Sequence, residues 1–120
     1  MDKKIIKEKL VEYFLKYVAI PSQSYEKNQN IPSSSGQLEL GKVLRNDLID
    51  LGLKDISIND FGVLQARLPQ RGENMKKLGW VAHLDTVDVG LASEIHPQII
   101  KSYDGLDINL GNDVIFFYKR

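Results

Sequence analysis

Leu78-Gly79-Trp80-Val81-Ala82-His83-Leu84-Asp85-Thr86 is the stretch that decides how this chain is read. Residues 78–82 form a nearly continuous apolar run, the pattern of a strand covered on both faces. Such a strand belongs to an α/β layer in which helices shield the sheet. His83 and Asp85 then stand at its C-terminal end, where ligands collect in open α/β sheets. Residues i and i+2 of an extended chain project to the same side, so the imidazole and the carboxylate point together. A metal-bound histidine needs an acceptor on its second ring nitrogen, and Asp85 is placed to supply it. The same pair also fits a plain structural contact, a partly buried histidine satisfied by a neighbouring aspartate at a strand end.

Upstream of that run the periodicity changes. Ile6, Leu10, Phe14, Tyr17 and Val18 repeat at helical spacing, with Lys7, Glu8, Glu12 and Lys16 on the other face. Pro21 closes this helix, and residues 21–35 form a polar, turn-rich loop. A second helix starts at Ser34, whose spacing to Gln37 is that of a capping box. It carries Leu38, Leu40, Val43, Leu44, Leu48 and Leu51, and Gly52 sits where a left-handed terminator is wanted. Ile56-Ser57-Ile58 and Val63 to Leu68 read as strands joined by the turn Asn59-Asp60-Phe61-Gly62. Arg71 to Lys77 is a charged turn. Beyond residue 97 come short apolar pieces: Ile99-Ile100, Leu106 to Leu110, and Val114 to Tyr118. The order predicts an α/β fold, with two N-terminal helices packed on a mixed β-sheet.

Composition narrows the function. The 120 residues are 42% hydrophobic, and sixteen basic side chains cancel sixteen acidic ones. A chain of this length buries roughly two thirds of its unfolded surface and can build a core. A neutral balance is the wrong electrostatic footprint for nucleic acid. Residues 5–20 mix apolar residues with Lys and Glu, so no signal peptide or membrane span is expected there. The chain has no cysteine, which removes disulfides, thiolate zinc sites and thiol nucleophiles and fits a cytoplasmic location. Any metal would be held by His, Asp, Glu or backbone oxygens.

Other candidates carry less. His96, in Glu94-Ile95-His96-Pro97, reads as a solvated loop histidine. Ser22-Gln23-Ser24 and Ser33-Ser34-Ser35 lack the G-x-S-x-G elbow of a nucleophile and read as caps and turns. Asp85, Asp88, Asp104, Asp107 and Asp113 make an acidic second half without an EF-hand spacing.

Taken in order, several segments resemble the peptidase T family of the M20 zinc metallopeptidases. They are Phe14-Leu15-Lys16-Tyr17-Val18 with Ser22-Gln23-Ser24, and Pro32-Ser33-Ser34-Ser35-Gly36-Gln37 with Leu51-Gly52-Leu53. Gly79 to Thr86 is similar to that family's first metal-ligand strand. Pro97 to Ile100, Tyr103-Asp104-Gly105, Asp107-Ile108 and Leu110-Gly111 are similar to the β segment that follows. The resemblance spans about Leu10 to Asp113. It implies that residues 1–120 form a single partial catalytic domain, the N-terminal segment of a zinc-dependent tripeptide aminopeptidase. It further implies that His83 binds one of two zinc ions, that Asp85 clamps its imidazole, and that small peptides are the substrates.

The departures from that family matter as much. Its bridging aspartate, glutamate base and remaining ligands fall past residue 120. Thr86-Val87-Asp88-Val89 stands in place of a Ser-Pro-Asp pattern, and the sequence drifts after Gly111. The resemblance therefore implies a segment inactive by itself, with an incomplete zinc site and a tendency to self-associate. The other reading is a non-catalytic α/β interaction module or remnant in which His83 and Asp85 are leftovers; it predicts the same fold.

Overall fold

The computed structural model describes residues 2–70, 72, 76–90, 92–111 and 114–116. It is an α/β arrangement: helix α1 (Lys3–Val18) and helix α2 (Ser35–Asp50) precede strands β1 (Lys54–Ile58), β2 (Leu64–Arg67), β3 (Ile108–Gly111) and β4 (Val114–Phe116). β1 pairs with β2, and β3 with β4, each as an antiparallel two-stranded sheet. The parallel pairing among the described residues is a single bridge between Gln23 and Thr86.

Local chemistry sets the element ends. Asp2 caps α1 by accepting from the Lys4 amide at 2.9 Å, which satisfies one of the orphan donors of the first turn. α2 ends as its sequence predicts. Gly52 takes φ +82°, and the Gly52 and Leu53 amides donate to the Ile49 and Leu48 carbonyls at 2.9 and 3.0 Å, a Schellman closure. Its start differs from expectation. Ser34 is the N-cap residue but makes no side-chain cap bond, and its buried Oγ has no partner. Gln37 instead donates to Ser33 Oγ at 3.2 Å, so the reciprocal capping box does not form. The β1–β2 turn is organised by Asn59, whose Oδ1 accepts from the Phe61 and Val63 amides. Short polar side chains favour turns through bonds of this kind.

α2 packs over β1 and β2. An added Cβ at Gly41 would stand 2.7 Å from Ile58 Cδ1, so the helix lies close on β1 here. At the N-terminal end of α2 an added Cβ on Gly36 would fall 1.7 Å from the Pro21 carbonyl oxygen; the helix rests directly on the backbone of the preceding loop. α1 joins at its C-terminal end. Asp47 of α2 accepts from Lys16 Nζ at 2.5 Å and from the Tyr17 hydroxyl at 2.9 Å. Ile6, Leu10 and Phe14, the rest of the α1 stripe, stay 38%, 63% and 58% exposed.

Two expectations are corrected. The run Leu78–Ala82 is not a strand: it belongs to no ladder, and Trp80 and Val81 are 88% and 100% exposed. Apolar character alone does not make a strand; the backbone needs a hydrogen-bonding partner, and none of the described strands pairs with this segment. Nor does the length deliver a conventional core. Among the described residues Leu40 is the buried large apolar side chain. The radius of gyration is 18.0 Å, against about 13.6 Å for a compact chain of this length. Of the apolar run 114–118, residues 114–116 form β4; Phe117 and Tyr118, like Lys119 and Arg120, lie outside the described residues. So does most of the charged turn beginning at Arg71.

Candidate functional site

His83 and Asp85 are brought together as their spacing predicts, although the chain around them is extended coil rather than strand. His83 Nδ1 lies 2.7 Å from the Asp85 backbone oxygen and 3.3 Å from Asp85 Oδ1. A carbonyl and a carboxylate oxygen can only accept, so Nδ1 carries the proton in both contacts. That leaves the Nε2 lone pair of the neutral ring uncommitted. The imidazole side chain is 84% exposed, the carboxylate 38%. Leu84 between them is half-buried; its Cδ1 would stand 3.7 Å from a Cβ at Gly41 of α2.

What fixes the segment is Thr86. Its amide donates to the Ser22 carbonyl at 3.3 Å, and its carbonyl accepts from the Ser24 amide at 2.9 Å and from Ser24 Oγ at 3.2 Å. Ser22 and Gln23 are buried, at 5% and 7% exposure. The Ser22-Gln23-Ser24 group is thus neither nucleophile nor helix cap but a backbone clamp on the candidate site. Little in the residue pattern points to it, because main-chain bonds between residues 62 and 64 apart leave no side-chain signature.

The pair borders a groove of about 920 Å³ between α2, the β1–β2 turn and β2, and the segment Trp80–Asp85. Gln37, Phe61 and Leu64 line it together with Trp80 and His83. His96 is elsewhere: it borders a shallow cleft of about 320 Å³ with Ala19 and Pro21. Its Nε2 is 3.9 Å from Glu94 Oε2, with both side chains largely exposed, as expected of a solvated loop histidine. Asp88 and Asp104 accept from the Gly90 and Leu106 amides and so belong to turns. Asp113 lies outside the described residues.

As a metal ligand, His83 has the right form: one nitrogen held by acceptors, the other open to solvent. The set around it is incomplete, because a catalytic zinc takes three protein ligands. Among the described residues no group of three His, Cys, Asp or Glu side chains converges. Nor is any described helix long and apolar enough to cross a membrane.

Comparison with known proteins is consistent across organisms. No family model matches the chain. Curated relatives named Peptidase T match along most of it. The protein from Shewanella halifaxensis is 37% identical over 115 residues, covering 96% of this chain and 28% of the relative. That from Clostridium acetobutylicum is 42% identical over 107 residues, 88% of this chain and 26% of the relative. That from Bacillus velezensis is 39% identical over 108 residues, 89% and 26% respectively. The chain spans about a quarter of the length of the relatives it matches. With identity of this level running from the helices through the His83–Asp85 segment and beyond, the chain belongs to the peptidase T family.

Proposed function

We propose that this chain is part of the catalytic domain of a cytoplasmic, zinc-dependent tripeptide aminopeptidase. In this reading it supplies one metal ligand, His83, and the clamp on that ligand, Asp85. The observation that carries the reading is the state of the His83 ring. Nδ1 faces two acceptors of Asp85, which is how metal-binding imidazoles are held and made more basic. Family membership supports the substrate class, small peptides whose N-terminal residue is removed.

Bound zinc would polarise the scissile carbonyl and lower the pKa of a water. The residues of this chain do the rest of what is proposed for it. Asp85 holds the proton on Nδ1 and keeps the Nε2 lone pair free for a metal. Leu84, against α2, holds the segment in place. The groove beside Trp80 and Phe61 gives a small peptide an apolar wall. With one imidazole and one adjacent carboxylate, the 120 residues alone are proposed to bind zinc weakly and to turn over no tripeptide.

A chimaera tests this. Residues 2–111 replace the corresponding part of the Clostridium acetobutylicum peptidase T. Chelator-sensitive tripeptide hydrolysis is expected, lost in His83→Ala and kept in His96→Ala. The isolated chain is assayed alongside, with zinc or cobalt added, and no turnover is expected. Full activity of the His83→Ala chimaera would rule out the proposed role.

A further inference from the structure

We infer that the Ser22–Ser24 loop is a positioning device for His83, acting through the plane of the Asp85–Thr86 peptide, with Ser24 as the positioning residue. This rests on the reading of His83 as a ligand, but its geometry stands apart from any metal. A peptide unit is planar and trans, so its C=O and N–H point in opposite directions. In the Asp85–Thr86 unit the Thr86 N–H donates to the Ser22 carbonyl, and the Asp85 C=O accepts from His83 Nδ1 at 2.7 Å. Fixing one end of that plane therefore aims the other. The next carbonyl, that of Thr86, is gripped twice by Ser24, through its amide at 2.9 Å and its Oγ at 3.2 Å. Rotation of the plane would break the contacts on both sides.

The loop itself is backed firmly. Gly36 of α2 rests on the Pro21 carbonyl, with no room for even a methyl group, and Ser22 and Gln23 are buried. Apart from the Asp85 carboxylate 3.3 Å from Nδ1, the ring has little else to hold it, being 84% exposed, and the residues before it form no ladder. The loop therefore decides which imidazole nitrogen keeps its proton, and so which one is free to bind.

The test is nitrogen-15 NMR of the His83 ring in the metal-free 120-residue chain, at a pH where the ring is neutral. The expected signature is a dominant Nδ1–H tautomer. In Ser24→Ala the population shifts toward Nε2–H, and Ser24→Thr, which keeps the hydroxyl, restores it. Gly36→Ala, which pushes α2 off the loop, gives the same shift, with the α2 and β1 amide resonances checking that this layer stays folded. His96 in the same spectra is unmoved. A His83 ring with no Nδ1–H preference in the unaltered chain would overturn the inference, as would a ring that ignores both Ser24→Ala and Gly36→Ala. The tautomer needs neither metal nor turnover. The positioning role therefore fails on these spectra, and the ligand role fails on the chimaera assay.

Discussion

Asp47 is the residue on which the two helices depend for their link. The Lys16 ammonium beside it lowers its pKa, burial opposes that shift, and the Tyr17 hydroxyl adds to the lowering. Tyr17 is correspondingly raised, by burial first and then by its bond to Asp47. A carboxyl held below its unfolded value contributes stability that is complete above about pH 4 and is lost as pH falls through the folded value. The Tyr17 ring resonances, followed from neutral pH into the acid range, are expected to move below about pH 4 as α1 detaches, and Asp47→Asn should flatten that response. At neutral pH Asp47→Asn should cost about 1 kcal/mol, since Lys16 keeps much of its contact with water. Tyr17→Phe should cost about 0.5–1.5 kcal/mol, and denaturant midpoints measure both. A pH response unchanged in Asp47→Asn would place the acid-labile link elsewhere.

At the scale of elements, the two glycines that bound α2 act for different reasons. Gly52 is needed for its backbone angle, φ +82°, and Gly52→Ala should cost about 1 kcal/mol. Gly36 is needed for its missing Cβ, and Gly36→Ala should cost about 1–3 kcal/mol as an overpacking change. Because the atom it strikes is backbone, a side-chain rotation cannot relieve it. Thermal melts of the two variants should therefore separate, with Gly36→Ala the lower. What the sequence made legible follows the same division. The end of α2 and the β1–β2 hairpin were readable because the Gly52 terminator and the Asn59 turn act within a few residues, whereas the capping box expected at Ser34 does not form. The His83–Asp85 pair was readable because extended chain of any kind puts i and i+2 on one side. The strand expected at Leu78–Ala82 failed because a ladder needs a neighbour, which no local pattern supplies. The Thr86 clamp was illegible for the related reason that its bonds are main-chain and distant.

For the whole molecule the dominant fact is apolar surface left in water. Leu78, Trp80 and Val81 are 77%, 88% and 100% exposed, together with the Leu10 and Phe14 face of α1. Exposed apolar surface drives association, and an extended segment outside any ladder invites pairing. The chain is expected to self-associate: light scattering at rising concentration should give an apparent mass climbing above 13.6 kDa. Val81→Lys should delay that rise, since a charge at an edge opposes pairing. A mass constant at the monomer value over the whole range would count against it. Thermal unfolding should be broad, because one buried large apolar side chain among the described residues, Leu40, gives little cooperative packing.

The bridge between Gln23 and Thr86 also bears on the order in which the chain folds. It closes a loop with ends 63 residues apart, which in a featureless chain costs about 3.7 kcal/mol of closure entropy before any contact repays it. That loop encloses α2, β1 and β2, whose contacts are short-range and whose formation draws the ends together. The cheapest route is for the helix and hairpin to form first and the bridge last. His83 would then gain its fixed ring only after the layer beneath it exists, and early intermediates would present a histidine with no preferred nitrogen.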